Sequence, residues 1–211
     1  MNKLTLVFDF DGTIADTLLL AGDIYDKLSS EFGLPEIGEK DLQKLRGMSP
    51  GDIVKRFEIP WWKIPRLLVR GKAELSVRID SLAPVEGIGP ALKQLKKSGQ
   101  RLFIVSSNSA ENIEKFLAKN GLSGLFDFID ADSSLWGKAE ILRKLIRKEN
   151  LAPGRAVYIG DEIRDIEAAK KAGVRIIAVT WGFNTKAALQ KFKPDYLVER
   201  PDDLIKVTGE L

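Results

Sequence analysis

With 211 residues, the chain is long enough for one large domain, or for a core carrying a modest insert. Its 33 basic against 30 acidic residues leave a net charge of +3, too small and too dispersed to argue for nucleic acid. It has no cysteine and no histidine, which excludes disulfides, thiol and imidazole catalysis, and thiolate or imidazole metal sites. Any chemistry must run on carboxylates, hydroxyls, lysine, arginine and a hard metal ion.

Residues 4–10 form an apolar run of the kind that makes a buried strand. Asp9 and Asp11 interrupt it where a signal peptide would continue its apolar stretch, and no later run reaches the ~18 residues a membrane span needs. A cytoplasmic protein is expected. From about 18 to 82 only helical patterns follow. The first holds Asp23, Tyr25 and Leu28 and ends near 33–35; the others cover 41–45, 52–57 and 65–79, with Pro65 suited to a first helical position. Asp16 is expected to cap the first of them.

Beyond this stretch, strands at 102–106, 126–129, 156–159, 176–179 and 196–198 alternate with helices at 111–120, 138–148 and 166–172. Gly121 and Gly173 stand where helices should stop. Strands apolar on both faces that alternate with helices predict a parallel sheet covered by helices. The expected fold is α/β: a Rossmann-like core of residues 1–16 and 83–211, with residues 17–82 inserted as a helical cap.

In such sheets ligands bind beyond the carboxyl ends of the strands. Asp9-Phe10-Asp11-Gly12-Thr13 follows the first strand, Ser106-Ser107-Asn108 the second, and Gly160-Asp161-Glu162 with Asp165 the fourth. Lys138 opens the helix before that fourth strand. Carboxylates gathered at one edge repel one another unless some protonate or a cation joins them. Mg²⁺ suits the set, with Asp9, Asp161 and the Asp11 carbonyl as ligands. A carboxylate beside Mg²⁺ can attack phosphorus, and Lys138, Ser106 and backbone N–H groups would balance the charge that builds there. Asp9 and Asp11, two residues apart, would share one face of an extended strand end, one as nucleophile and the other as proton carrier.

DFDGT, SSN after a strand, and a lone Lys138 ahead of GDEIRD together resemble the four motifs of the haloacid dehalogenase-like hydrolases, in order and over the whole chain. The helical insert and the stretch EAAKKAGVRIIAVTWGF resemble the phosphoglycolate phosphatase and β-phosphoglucomutase branch. The resemblance implies that Asp9 is the nucleophile and a Mg²⁺ ligand, and that Asp11 is the general acid/base with its carbonyl on the metal. It implies that Thr13 supports the loop around the substrate's phosphate site, and that Ser106, with Ser107 and Asn108, binds the phosphoryl group. Lys138 would bridge Asp9 and phosphate, Asp161 would ligate Mg²⁺, and Asp165 would orient the metal shell or Lys138. Glu162 departs from the hydroxyl or small residue often found there.

The function implied is a Mg²⁺-dependent phosphatase of a small phosphorylated metabolite, phosphoglycolate or a sugar phosphate, acting through an aspartyl phosphate. A phosphomutase on the same scaffold is the alternative, and a non-catalytic phosphate-binding module the reading from another class. A monomer or homodimer is expected, with no nucleic-acid or membrane partner. In the cap, Arg46 of Arg46-Gly47-Met48-Ser49 either clamps a second anion of the substrate or belongs to a surface loop. Trp61-Trp62 either lines the closed pocket, packs the cap core or marks a protein contact.

Overall fold

Six short strands form one sheet: β1 (Thr5–Phe8), β2 (Arg101–Val105), β3 (Phe128–Asp130), β4 (Ala156–Gly160), β5 (Arg175–Val179) and β6 (Tyr196–Val198). The order is β3-β2-β1-β4-β5-β6 and every adjacent pair is parallel. The computed structural model describes residues 3–35, 37, 39–131, 137–152 and 154–211. The strands carry apolar side chains on both faces because both faces are covered. Leu6, Phe8, Leu102, Ile104 and Val157 pack on one side, and Val7, Phe103, Val105 and Tyr158 on the other.

Helices α5 (Ile88–Lys97), α6 (Ala110–Lys119) and α10 (Pro201–Glu210) cover the first face; α7 (Lys138–Lys148), α8 (Ile163–Ala172) and α9 (Lys186–Lys191) cover the second. Each presents an apolar stripe at helical spacing, as with Ile88, Ala91, Leu92 and Leu95 in α5. Helices α5, α9 and α10 add to the elements expected from the pattern. Gly121 and Gly173 follow α6 and α8 at positive φ, and the Gly173 N–H bonds back onto the α8 carbonyls, as expected of helix stops.

Between β1 and α5 lie α1 (Leu18–Phe32), α2 (Glu39–Leu45), α3 (Pro50–Arg56) and α4 (Ile64–Arg78). The insert leaves and rejoins the sheet through two strands of chain running side by side. Asp16 N donates to Ala83 O at 3.0 Å and Val85 N to Ile14 O at 2.9 Å. Lys27 of α1 pairs with Glu74 of α4 at 2.7 Å, and Arg70 of α4 with Glu31 of α1 at 3.0 Å. The expectation that Asp16 caps the first helix is corrected. Thr17 occupies the cap position without a side-chain bond, and Asp16 is exposed, because its main chain is committed to the pairing with Ala83.

Trp61 and Trp62 stack edge to face, with ring centroids 6.0 Å apart. They are 77% and 64% exposed, so they neither line a closed pocket nor pack the core of the insert.

Candidate active site

The strands β2, β1 and β4 are neighbours, so their carboxyl ends bring Ser106, Asp9 and Asp161 to one edge. Strand β1 stops at Phe8, two residues short of the apolar run, because the chain turns at once. The amides of Thr13, Ile14 and Ala15 all point back at the Phe10 carbonyl. Gly12 makes this turn at φ 74°, and a Cβ there would collide with the carboxylate of Asp161.

Asp9, Asp161 and Asp165 are buried, with carboxylate oxygens within 4.8 Å of one another. Lys138, only 2% exposed, enters this group from the first residue of α7. Its Nζ donates to Asp9 Oδ2 at 2.6 Å and to Asp165 Oδ1 at 2.7 Å. Burial opposes its charge, but Asp165 and Asp9 overturn that and hold the ammonium well above the ordinary lysine range. The carboxylates are raised too, which for an acid disfavours the charged form. Burial raises the Asp9 carboxyl to about 6 against the pull of Lys138. Burial and then Glu162 and Asp165 push Asp161 well above the usual carboxylate range.

One lysine therefore leaves the acidic group under-compensated. Buried, oxygen-only donors that favour an added positive charge fit a hard divalent cation. Asp165 has both oxygens engaged, Oδ1 by Lys138 and Oδ2 by the Glu162 N–H at 3.0 Å. It orients the lysine and caps α8 at once.

Asp11 points elsewhere. Its carboxylate accepts from Asn108 Nδ2 at 3.2 and 3.3 Å. Burial and the charge of Asp9 raise its carboxyl to about 7, the Asn108 bonds only tempering this. A cavity of about 200 Å³ opens beside it, lined on the sheet side by Asp11 and Glu162 and on the insert side by Leu18, Pro50 and Ile53. Glu162 is held by Arg164, so the unusual carboxylate is paired at the cavity wall.

Thr13 and Arg46 are both engaged by other groups of the protein. Thr13 is buried and its hydroxyl donates to Asp161 Oδ1 at 2.9 Å, so it orients a carboxylate and does not line the cavity. The tight turn after Phe10 folds it inward. Arg46 is not a free arginine over the site. Its Nε donates to Phe183 O at 2.9 Å and its Nη2 to Gly182 O at 3.1 Å, and it lines not this cavity but an adjoining one of about 550 Å³ that shares Leu18, Ala21, Ile53 and Phe183 with it. Ser106 is buried, and its Oγ accepts from the Asn108 N–H at 3.0 Å.

Several residues of the site have no motif to announce them. Asn112 Nδ2 donates to Asn108 Oδ1 at 2.9 Å, and Ser76 of α4 donates to Asn112 Oδ1 at 2.9 Å. A chain of amides thus runs from the insert to Asp11. The Phe183 N–H donates to Asp161 Oδ2 at 2.7 Å, and Trp181 Nε1 donates to Thr13 O at 3.1 Å. Gly182 lies so close to Asp161 that a Cβ would collide with it. The spacing of Asn112 from Ser109 and Asn108, one helical turn, was the available signal for it; the 181–184 loop carried none.

A buried carboxylate bonded to a buried lysine and a second carboxyl of raised pKa thus meet at one edge of a Rossmann-like sheet. The chain belongs to the haloacid dehalogenase-like hydrolases, whose family description matches residues 6–179. It is 38% identical over 206 residues to a phosphoglycolate phosphatase of Synechococcus elongatus, covering 98% of this chain and 97% of that one. It is 24% identical over 215 residues to the pyrophosphatase PpaX of Bacillus mycoides, covering 100% and 99%. A solved structure described as a predicted phosphatase from Clostridium acetobutylicum shares the fold at TM-score 0.84 and 22% identity, over 99% of this chain and 100% of that one.

Proposed function

We propose that this protein is a Mg²⁺-dependent phosphatase of a small phosphorylated metabolite, with phosphoglycolate the first candidate, and that it works through a phosphoryl group carried on Asp9. The observation that carries the reading is the separation of two carboxyls by environment. Asp9 is fixed by a buried ammonium at 2.6 Å, whereas Asp11 faces a cavity with its carboxyl raised to about 7. One is held as a nucleophile; the other keeps a proton to give at neutral pH.

Asp9, Asp161 and the Asp11 main-chain carbonyl would hold the cation, which supplies charge neutralisation between the nucleophile and the incoming phosphate. The Asp11 carboxylate, bonded to Asn108, lies outside the acidic trio and stays free for proton transfer. In the first step a carboxylate oxygen of Asp9 bonds to phosphorus. The ester P–O bond breaks, and the leaving oxygen takes the proton of Asp11. In the second, Asp11, now ionised, accepts a proton from water as the water oxygen bonds to phosphorus. The bond from phosphorus to Asp9 breaks, and phosphate leaves. Lys138 stays paired with Asp9 and Asp165 and offers its third N–H to the phosphoryl oxygens. The 200 Å³ cavity and the 38% identical phosphoglycolate phosphatase both support a leaving group of a few heavy atoms. The core of residues 1–16 and 83–211 supplies the chemistry, and residues 17–82 close over the leaving group as a cap.

The test is Asp9→Asn with phosphoglycolate, sugar phosphates and pyrophosphate as substrates and Mg²⁺ present. Turnover is expected to vanish while circular dichroism stays unchanged. Acid quench of the wild type with radiolabelled substrate should trap label on the protein. Substantial turnover by the variant would overturn the assignment.

A further inference from the structure

The loop between α2 and α3 is tied to the segment after β5 by a group of hydrogen bonds that converge near Asp161. Arg46 Nε and Nη2 donate to the carbonyls of Phe183 and Gly182. The Arg46 carbonyl in turn accepts from Thr185 N at 2.9 Å and from Asn184 Nδ2 at 2.9 Å. Asn184 Nδ2 also reaches Met48 O at 3.0 Å. Asn184 is fully buried. Its remaining side-chain atom, Oδ1, accepts the Ile163 N–H at the start of α8, at 2.8 Å. Both amide donors thus hold the insert, while the acceptor holds the sheet edge.

The same short segment shapes Asp161. The Phe183 N–H fixes Asp161 Oδ2, and the Cα of Gly182 presses on the carboxylate with no room for a Cβ. The Asn184 N–H contacts the Asp161 carbonyl at 3.3 Å. The peptide units whose carbonyls accept from Arg46 therefore border the N–H that aims Asp161. When the 46–48 loop lifts away, Gly182 and Phe183 lose donors, Asn184 loses two acceptors, and the hydrogen bonds from this loop that steady Phe183 N against Asp161 are gone.

We propose that Arg46 and Asn184 form a latch by which the seated insert sets the carboxylate of Asp161, making both positioning residues of the metal site and not substrate contacts. The metal part of this rests on Asp161 being a cation ligand, as argued above. Orientation of a ligand by its outer partners typically changes metal affinity about 10–100-fold.

Two variants of the full chain separate the parts. Asn184→Asp keeps the acceptor for Ile163 but turns an oxygen toward two carbonyls. Arg46→Ala removes both side-chain donors from a half-buried position and leaves the main chain intact, so it reads the latch even if the buried variant fails to fold. Hydrogen exchange without metal should speed up about tenfold at amides 183–185 and in the 42–50 peptide, with β1 and β4 still protected. Titration calorimetry with Mg²⁺ should show binding weakened about tenfold. Turnover of para-nitrophenyl phosphate and of phosphoglycolate should fall alike at limiting Mg²⁺. Unchanged exchange would overturn the latch. Faster exchange with unaltered Mg²⁺ affinity would overturn its link to Asp161. A KM raised for phosphoglycolate alone would make Arg46 a substrate clamp and overturn the proposal. Should the wild type bind no Mg²⁺, the ligand role of Asp161 falls, and exchange at Phe183 alone decides whether the latch holds it.

Discussion

Replacing Lys138 with methionine tests the electrostatic account of the site most directly. The side chain is 2% exposed, and its ammonium is bonded to Asp9 and Asp165, which are 3% and 0% exposed as side chains. Methionine fills most of the volume of the lysine stem, so the change is mainly one of charge. It leaves two buried carboxylates without a bonded cation, with only the Arg164 guanidinium, paired to Glu162, nearby. Breaking a buried pair by removing one partner costs about 3–5 kcal/mol. For a chain of this size, about 2–4 °C of Tm per kcal/mol gives a fall of roughly 6–20 °C at pH 8 without metal.

The sign with pH is the discriminating feature. Burial already raises the Asp9 carboxyl to about 6 against the pull of Lys138; without that pull it would titrate higher still in the folded variant than in its unfolded chain, so the folded state binds the extra proton. Stability lost at pH 8 is then recovered as pH falls toward 5, and Tm of the variant approaches that of the wild type. Melts followed by circular dichroism at pH 5 and pH 8, with and without Mg²⁺, read this out. Mg²⁺ should restore part of the pH 8 loss. A fall equal at both pH values would mean that packing and not charge is at stake, and a fall under about 2 °C would refute the energetic role of the pair.

Asp11→Asn keeps the nucleophile but removes the proton donor, so alkyl phosphates should lose about 10²–10⁴-fold and para-nitrophenyl phosphate much less; equal loss on both would argue for a role in site geometry. In the metal-free wild type the raised carboxyl of Asp11 destabilises the fold as pH rises from about 4 to about 7; Asp11→Asn should flatten that part of the Tm-against-pH curve, and an unchanged slope would refute it. Gly182→Ala forces a Cβ into Asp161 and should weaken Mg²⁺ binding by calorimetry, whereas Gly121→Ala, with open space around it, should cost stability only through its positive φ. EDTA should silence turnover and Mg²⁺ restore it; full activity after chelation would refute the metal reading.

Much of the core site was legible because its residues sit next to strands, and strands are announced by apolar runs. Once 4–10, 102–106 and 156–159 are strands of one parallel sheet, Asp9, Ser106 and Asp161 must fall at the same edge, whatever the loops do. Lys138 was legible by its place at the head of a helix leading into β4. The insert was less so. Arg46 reads as a free loop arginine in sequence, yet the carbonyls of Gly182 and Phe183 that occupy it come from a segment about 136 residues away. Thr13 reads as a support of the phosphate-site loop, and only the turn onto Phe10 shows that its hydroxyl faces Asp161.

By itself the sequence determined the class of fold, the order of the motifs and the chemistry open to a chain without histidine or cysteine, since all three depend on local periodicity and residue type. Tertiary structure alone decided which oxygen meets which donor. It divided Asp165 between Lys138 and the start of α8, linked Ser76 to Asp11 through Asn112 and Asn108, and set the 181–184 loop against Asp161. The Asn112–Asn108 bond and the cap that Asp165 makes on α8 are one helical turn long and lie within reach of sequence spacing. The others join separate elements, and no spacing along the chain encodes them; they follow from packing the insert and the β5 loop onto the same sheet edge.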